Sequence, residues 1–265
     1  MKPKILIFIP CYNVENNIKK NFLRIPFKKI NFLSHITFLF IDDNSTDETY
    51  KKIKEIINFY SLKRIKKKII IKKNRKNLGY GGVQKKAFSF SIKNKFDYCI
   101  MLHGDGQYHP KYLTKFIINL IQFSKFKLKK EINHYSNFLG VFGSRMIHWK
   151  KAIKGNMPIY KFLGNTILTF FQNYLLSTSM SEFHSGYRSY YINNLKKIDF
   201  NKLSNNFTFD TEIIVEAVKK KMQIREFSID TFYGNEVSHL KSIPYGISVF
   251  YCCLKYFLRK NFGTV

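Results

Sequence analysis

Short apolar runs alternate with longer amphipathic stretches through the first half of the chain. The apolar runs are rich in β-branched and aromatic residues and predict strands over residues 5–9, 36–41, 68–71, 98–102 and 138–142. The amphipathic stretches predict helices over residues 15–24, 45–59, 82–92 and 110–123. Strands that alternate with helices predict an α/β fold, with a mostly parallel sheet flanked by helices on both faces.

The regular alternation fades after residue 142. A loop over 146–158 precedes a predicted helix at 159–176, a strand at 186–192, a helix at 210–220 and a strand at 223–229. We predict one domain over residues 1–240 and an amphipathic helix within 241–265, at about 245–259. That helix combines aromatic and basic side chains, so it fits a membrane interface and equally fits packing on the domain.

Polar side chains follow the predicted strand 98–102 in a turn that contains two glycines. Asp105 and Gln107 are oxygen donors two residues apart in this turn. Ligands of open α/β sheets bind outside the carboxyl ends of the strands, and such a donor pair suits a divalent cation on a diphosphate. Taken by itself, Asp-Gly-Gln is also compatible with an ordinary turn.

The other strand ends carry polar groups as well. Asp42 and Asp43 are adjacent carboxylates, which repel each other unless they bind donors such as a base imide N–H or ribose hydroxyls. Ser45 with Glu48 predicts a capping box for the next helix. The glycine-rich turn at 77–82 would let the backbone at Gly79 approach a nucleotide.

Charge and composition narrow the class of partner. The chain has 265 residues and a formal net charge of +29, which either favours acidic partners or reflects surface drift toward lysine. The lysines are spread along the chain without a nucleic-acid-binding module, so we expect no specific nucleic acid partner. A basic face for anionic lipid headgroups or nucleotide phosphates is the favoured interpretation.

Cysteine spacing and hydropathy bound the remaining possibilities. The four cysteines show neither a zinc-site spacing nor a disulfide framework. No apolar run reaches the ~18 residues of a membrane span, and the first apolar run is too short for a signal peptide. We therefore expect a cytoplasmic protein, with peripheral contact to the inner face of the membrane as a further possibility.

Four motifs at these spacings resemble the family 2 glycosyltransferases with a GT-A fold. They are Pro-Cys-Tyr-Asn at 10–13, Ile-Asp-Asp-Asn-Ser-Thr-Asp at 41–47, Asn-x-Gly-x-Gly at 77–81 and Gly-Asp-Gly-Gln at 104–107. The resemblance covers residues 4–145 well and extends more thinly to about 240. It is closest to the polyprenyl- (dolichyl-) phosphate sugar synthases and their soluble relatives. It implies an inverting transfer from a nucleotide sugar, such as a UDP- or GDP-sugar.

The resemblance also implies roles for individual residues. Asp105 and Gln107 would hold Mg²⁺ or Mn²⁺ on the diphosphate. His103 stands where the family has the first Asp of Asp-x-Asp; imidazole is a poorer ligand for Mg²⁺ but acceptable to Mn²⁺, and it could instead donate to the diphosphate. The residues expected to border the nucleotide sugar are Pro10, Tyr12, Asn13, Glu15, Asp42, Asp43, Gly79, His103 and Gly104.

Later segments resemble the acceptor side of the family. Arg145 follows Gly-Ser, and its guanidinium would grip a phosphate and stabilise the departing diphosphate. Glu182 falls at the family's candidate general base, which a hydroxyl acceptor needs; with a lipid phosphate it would orient the acceptor or organise Arg188. Arg188 and Ser238 are predicted to bind the acceptor phosphate, and Asp210 to cap a helix.

Four hypotheses remain open from the sequence. The favoured one is a membrane-associated enzyme that makes a polyprenyl-phosphate sugar. The alternative is a soluble glycosyltransferase that acts on a hydroxyl of a cell-surface polysaccharide or lipopolysaccharide. A non-catalytic nucleotide-sugar-binding or nucleic-acid-binding protein is a third hypothesis, and a nucleotidyltransferase is a fourth.

Overall fold

A seven-stranded sheet forms the centre of the molecule. The structure is a computed structural model that describes residues 2–62, 68–128, 137–230, 233 and 242–263. The strands are β1 (Lys4–Cys11), β2 (His35–Asp42), β3 (Lys68–Lys73), β4 (Tyr98–Met101), β5 (Phe138–Ser144), β6 (Arg188–Tyr191) and β7 (Gln223–Ser228).

Helices cover both faces of this sheet. They are α1 (Ile18–Leu23), α2 (Phe27–Leu33), α3 (Thr49–Leu62), α4 (Gly79–Lys93), α5 (Tyr112–Leu128), α6 (Trp149–Lys154), α7 (Ile159–Leu176), α8 (Ile192–Leu195), α9 (Phe209–Lys219) and α10 (Ser242–Phe262). No helix within the described residues is long and apolar enough to cross a membrane.

The strand order places the polar turns side by side. The order is β3-β2-β1-β4-β6-β5-β7. Strands β1 to β4 pair in parallel, β6 is antiparallel to both of its neighbours, and β5 pairs with β7 in parallel. The turns after β1, β2, β4 and β5 therefore meet at one edge. The predicted α/β fold with a mostly parallel sheet is confirmed.

Two apolar layers hold the helices to the sheet. In β1, Ile5, Ile7 and Ile9 enter the core beneath α1, α2, α3 and α5. Leu6 and Phe8 enter the opposite core beneath α4, α7, α8, α9 and α10. Burial of each such side chain stabilises the fold by roughly 1.5–3 kcal/mol. A strand buried on both faces is expected for a parallel sheet between helical layers.

The structure corrects three local predictions. Helix α3 begins at Thr49, because Asp47 Oδ1 accepts the Thr49 N–H at 2.9 Å. The capping box predicted for Ser45 is therefore wrong; the Ser45 hydroxyl donates to Asp42 instead. The predicted loop 146–158 contains the short helix α6. Helix α10 packs against α7 and α9. The predicted boundary between the domain and the carboxy-terminal helix at residue 240 stays a prediction.

Candidate active site

Asp43 holds the start of helix α4 in place. Its side chain is 3% exposed and accepts hydrogen bonds from Asn74 Nδ2 at 2.6 Å, Leu78 N at 2.9 Å and Gly79 N at 2.9 Å. Gly79 has φ +77°, and a Cβ there would lie 2.6 Å from the Asn205 carbonyl oxygen. Both oxygens of Asp43 thus serve the fold, and Gly79 meets a requirement of the backbone. The predicted approach of Gly79 to a nucleotide stays a prediction.

Asp42 keeps one acceptor free at the same edge. Its Oδ1 accepts the Ser45 N–H at 3.2 Å and the Ser45 hydroxyl. Its Oδ2 is buried and has no hydrogen-bond partner among the described residues. A buried carboxylate oxygen without a donor is costly. Of the two adjacent carboxylates, Asp42 is the one that suits an incoming N–H donor such as a base imide.

The loop after β1 is joined to the loop after β2. Asn13, at φ 52°, accepts the Thr46 N–H at 2.9 Å through its Oδ1. Glu15 Oε2 accepts the Glu48 N–H at 2.7 Å. Pro10 is the penultimate residue of β1 and is part-buried, while Tyr12 is 37% exposed. These hydrogen bonds hold the two loops together, and the residues that we predict to border the nucleotide, Tyr12, Asn13 and Glu15, lie on them.

The turn after β4 carries the predicted metal ligands. Asp105 Oδ1 accepts the Gln107 N–H at 2.9 Å, across Gly106 with φ +84°. Its Oδ2 lies 4.0 Å from His103 Nδ1. No cluster of three or more His, Cys, Asp or Glu suited to a metal occurs in the described parts of the chain. Mg²⁺ commonly uses one or two protein ligands with substrate phosphates and water, so Asp105 and Gln107 fit that kind of site.

His103 is oriented by the backbone of a distant segment. Its Nε2 lies 3.2 Å from the Gly186 carbonyl oxygen, which can only accept, so the Nε2–H tautomer is assigned and Nδ1 faces Asp105. A Cβ at Gly186 would lie 2.4 Å from His103 Nε2. A Cβ at Gly104 would lie 3.0 Å from the Pro10 carbonyl oxygen. Glycines therefore allow these three turns to meet.

A cavity of about 450 Å³ opens beside this turn. This volume is ordinary for a small-molecule site. Its walls come from the turns after β4 and β5, from α7, α9 and α10, and from the segment before β6. The charged or hydrogen-bonding side chains that line it include Asp105, Gln107, Arg145, Lys161, His184 and Asp210.

Arg145 and Glu182 form a buried pair at the cavity wall. Arg145 N donates to Glu182 Oε2 at 2.7 Å, and its Nε and Nη2 both donate to Oε1, the former at 2.7 Å. Asn165 Nδ2 donates to the same Oε1 at 2.8 Å. Burial raises the pKa of Glu182, but the Arg145 guanidinium outweighs it, so the pKa lies below its usual value. Glu182 is ionised and its oxygens are occupied.

Arg145, in contrast to Glu182, reaches the cavity. Its Nη1 donates to the Tyr233 hydroxyl at 2.6 Å. The pair thus presents a guanidinium to the cavity and keeps the carboxylate behind it. The predicted placement of Arg145 at a strand end beside the site agrees with this geometry; its catalytic role remains a prediction.

Arg188 does not reach the cavity, so its predicted phosphate contact is wrong. It is 1% exposed and donates to the carbonyl oxygens of Ser185, Asp210 and Phe183 at 2.8, 2.9 and 2.6 Å. Its Nη2 also lies 3.7 Å from Asp210 Oδ2. The guanidinium organises the segment around β6 and is buried away from any ligand in the cavity.

Asp210 does not cap α9, so that prediction is also wrong. Thr208 takes the N-cap position of this helix, without a side-chain cap. Asp210 instead accepts the Tyr80 hydroxyl and Gln84 Nε2, each at 2.9 Å. It fixes Tyr80 in the cavity wall.

Several cavity residues had no signal in the sequence. Lys161 lies on α7, Tyr245 lies on α10 and Tyr233 follows the last strand; none of them belongs to a motif of the sequence. His184 Nδ1 lies 3.0 Å from the Tyr245 hydroxyl oxygen, and burial lowers the pKa of His184 to about 4. Its Nε2 has no partner among the described residues. Ser238 lies outside the described residues, and its phosphate role stays a prediction.

Known proteins resemble this chain in sequence. Residues 6–125 match the model of the glycosyl transferase family 2. The chain is 26% identical over 254 residues to the UDP-N-acetylglucosamine–dolichyl-phosphate N-acetylglucosaminyltransferase of Methanococcus voltae, which covers 93% of both chains. The resemblance to the family 2 glycosyltransferases that the sequence motifs predict is therefore confirmed over residues 6–125.

The fold is also that of solved glycosyltransferases. The structure of glucosyl-3-phosphoglycerate synthase from Mycobacterium tuberculosis with UDP is similar, with a TM-score of 0.65 and 12% identity over 96% of this chain and 80% of that chain. The same enzyme with Mn²⁺, UDP-glucose and phosphoglyceric acid has a TM-score of 0.64 and 11% identity over the same shares. This likeness establishes a GT-A fold.

Proposed function

We propose that this protein is an inverting, metal-dependent glycosyltransferase that moves a sugar from a UDP-sugar to a polyprenyl phosphate. The Methanococcus voltae relative, whose name gives a dolichyl-phosphate acceptor, supports this assignment over nearly the whole chain. A polyprenyl acceptor resides in a membrane, so the enzyme would work at a membrane surface.

The observation that carries the proposal is the state of Glu182. Four hydrogen bonds from Arg145 and Asn165 occupy its carboxylate, and Arg145 keeps its pKa low. A hydroxyl acceptor must lose a proton as the glycosidic bond forms and needs a base with an accessible lone pair. A phosphate acceptor is already ionised. The pair therefore suits a phosphate nucleophile.

Positive charge at the cavity supports an anionic acceptor. Arg145 and Lys161 both line it, and a guanidinium binds phosphate through paired hydrogen bonds. The two carboxylates that line it within the described residues are Asp105 and Asp210. Asp210 is held by Tyr80, Gln84 and Arg188, which leaves Asp105 for a metal.

The donor would lie along the sheet edge. Asp42 Oδ2 would accept an N–H of the base, and Asp105 with Gln107 would hold Mg²⁺ or Mn²⁺ on the diphosphate. When bound, the cation would neutralise the negative charge of the departing diphosphate. Arg145 would orient the acceptor phosphate for attack at the anomeric carbon from the opposite side, which inverts its configuration.

A hydroxyl acceptor is the second candidate, and His184 is the observation in its favour. Its Nε2 is unpartnered at the cavity, and the imidazole is neutral near pH 7. A pKa of about 4 makes it a weak base, however, because general bases act best when their pKa lies near the working pH.

A matched pair of acceptors tests the proposal. The protein is incubated with UDP-N-acetylglucosamine, UDP-glucose or GDP-mannose, with Mn²⁺ or Mg²⁺, and with either a short polyprenyl phosphate or the same polyprenol. We expect a new phosphodiester signal in ³¹P NMR with the phosphate and no product with the alcohol. Sugar transfer to the polyprenol, or to neither acceptor with any donor, would contradict the proposal.

A further inference from the structure

Helix α7 exposes most of its apolar side chains and buries three of its polar ones. Six apolar residues are each more than half exposed, namely Ile159, Tyr160, Leu163, Ile167, Phe170 and Tyr174. The polar residues Asn165, Thr169 and Gln172 are buried beneath them. A helix on the surface of a soluble domain normally has the opposite arrangement. This inversion indicates that the outer face of α7 meets a partner rather than water.

Helix α10 extends the same surface. It runs beside α7 in the same direction, since Leu168 lies against Gly246, Phe171 against Phe250 and Tyr174 against Phe257. The residues of α10 that are more than half exposed and apolar are Ile243, Ile247, Tyr251 and Phe262. Trp149 of α6 is 48% exposed and contacts Phe162 of α7. We refer to the exposed sides of α6, α7 and α10 as the apolar face.

The charged residues on the three helices of the apolar face are all basic, and one of them, Lys151, is paired with Asp230 of a neighbouring segment. Helices α6, α7 and α10 contain no Asp or Glu, and their basic residues are Lys150, Lys151, Lys154, Lys161, Lys255, Arg259 and Lys260. Aromatic and aliphatic side chains bordered by lysine and arginine are typical of helices that lie in the interface of an anionic membrane. A second copy of this chain would bring the same positive charge, so two apolar faces would repel each other.

The apolar face adjoins the mouth of the cavity. Tyr160 and Lys161 at the start of α7, and Ser242 and Tyr245 at the start of α10, line both the cavity and the approach to it. We propose that the apolar face docks on a bilayer that contains anionic lipids, with the cavity mouth at the level of the headgroups. This extends the proposed function and rests on it in one respect only, that the acceptor phosphate enters from that bilayer.

Trp149 is the only tryptophan of the chain, and it reports docking without any substitution. Vesicles of three parts phosphatidylcholine to one part phosphatidylglycerol are added at about 0.15 M salt, where exposed charges are screened beyond ~8 Å. We expect the Trp149 emission to shift to the blue and to be quenched by brominated lipid. An emission that stays unchanged while the protein sediments with the vesicles would contradict the orientation.

Matched variants separate the apolar face from the high overall charge. Phe170→Glu with Ile247→Glu should weaken vesicle binding by about tenfold or more. Phe32→Glu with Leu23→Glu adds the same negative charge to α2 and α1 of the opposite layer, where these residues are 77% and 47% exposed, and should bind as the wild type does. Equal weakening in both variants would overturn the proposal. Thermal unfolding of each variant confirms that the exposed substitutions leave the fold intact.

A second matched set tests the charges. Lys255→Gln, Arg259→Gln and Lys260→Gln together should weaken binding to the anionic vesicles more than Lys20→Gln, Lys28→Gln and Lys29→Gln, which remove the same charge from α1 and α2. If the two triple variants lost the same vesicle affinity, the net charge of the protein alone would explain binding, and the proposed role of the apolar face would be wrong.

Two further readouts distinguish the possible failures. If the wild type fails to bind the vesicles, and sedimentation velocity shows a dimer that Phe170→Glu with Ile247→Glu dissociates, a second copy covers the apolar face and the proposal is wrong. Transfer to a water-soluble short-chain prenyl phosphate should be unchanged in that double variant. The vesicle assay therefore tests the docking, and the assay with the soluble acceptor tests the proposed sugar transfer separately.

Discussion

The two regions of the site that we propose for the donor and for the acceptor, called below the donor side and the acceptor side, use their charged residues in opposite ways. On the donor side, carboxylates are held by the backbone, and two of them, Asp42 and Asp105, keep an oxygen available. On the acceptor side, carboxylates are paired with buried arginines, as in Glu182 with Arg145 and Asp210 with Arg188. Carboxylates of the first kind, such as Asp42, have an oxygen that can accept a bond from a ligand. Carboxylates of the second kind, such as Glu182, hold the guanidinium of an arginine in position. The predictions below, from the largest expected effect to the smallest, would break or sharpen that comparison.

The largest effect is expected at Asp105. Asp105→Ala removes the proposed metal ligand, so the proposed rate of sugar transfer should fall by about 10²–10³-fold. The metal-dependent part of UDP binding should disappear in titration calorimetry. Stability should change little, because the side chain is 39% exposed. Asp199→Ala is the matched control on an exposed carboxylate; metal-dependent affinity that is equal in Asp105→Ala and the wild type would contradict the assignment.

Glu182→Gln should reduce stability markedly. The change leaves the Arg145 guanidinium buried without its counter-charge, which typically costs about 3–5 kcal/mol. Urea unfolding measures this, and Glu182→Gln combined with Arg145→Met should recover part of the loss. A loss below about 1 kcal/mol, the size of an exposed ion pair, would show that the pair is not the structural unit described here.

His184 should make stability depend on pH. Burial lowers its pKa to about 4 from an ordinary 6.5, so above pH 6.5 the imidazole is neutral in both the folded and unfolded states. As the pH falls from about 6.5 to 4, the unfolded chain takes up the proton first and the folded state loses up to about 3 kcal/mol. His184→Gln should lack this part of the decline. If the free energies of unfolding of His184→Gln and of the wild type changed with pH in the same way, His184 would not be the cause of the decline.

His103→Asp should change the metal preference by the smallest factor. The carboxylate restores a hard oxygen ligand beside Asp105, so activity with Mg²⁺ should rise relative to Mn²⁺ by a few fold. The ratio of initial rates with the two cations measures it. An unchanged ratio would place His103 outside the metal's ligands and leave its contact with Gly186 as its role.

Much of the donor side was predictable from the sequence. The strands of a parallel sheet are continuous apolar runs, and their carboxyl ends bring residues such as Asp42 and Asp105 together whatever the helices between them do. The sequence could not say which of two adjacent carboxylates was free. That depends on Asn74 and Gly79, which lie more than thirty residues away.

The acceptor side was less predictable for a physical reason. Which groups a buried charged side chain pairs with depends on the packing between segments that are distant in sequence. The sequence therefore predicts wrongly that Arg188 binds a ligand and that Asp210 caps a helix. The inversion of α7 was also hidden, because a period of 3.6 residues does not tell which side of a helix faces the core.

The most direct test of the central claim is the turnover of Glu182→Gln with a polyprenyl phosphate. The assay is run at saturating UDP-sugar and at a temperature where the variant remains folded. If Glu182 only positions Arg145, kcat should fall by less than about tenfold, and the KM for the acceptor should rise. If Glu182 is the general base, kcat should fall by about 10²–10⁴-fold with little change in KM, and that result would contradict the account.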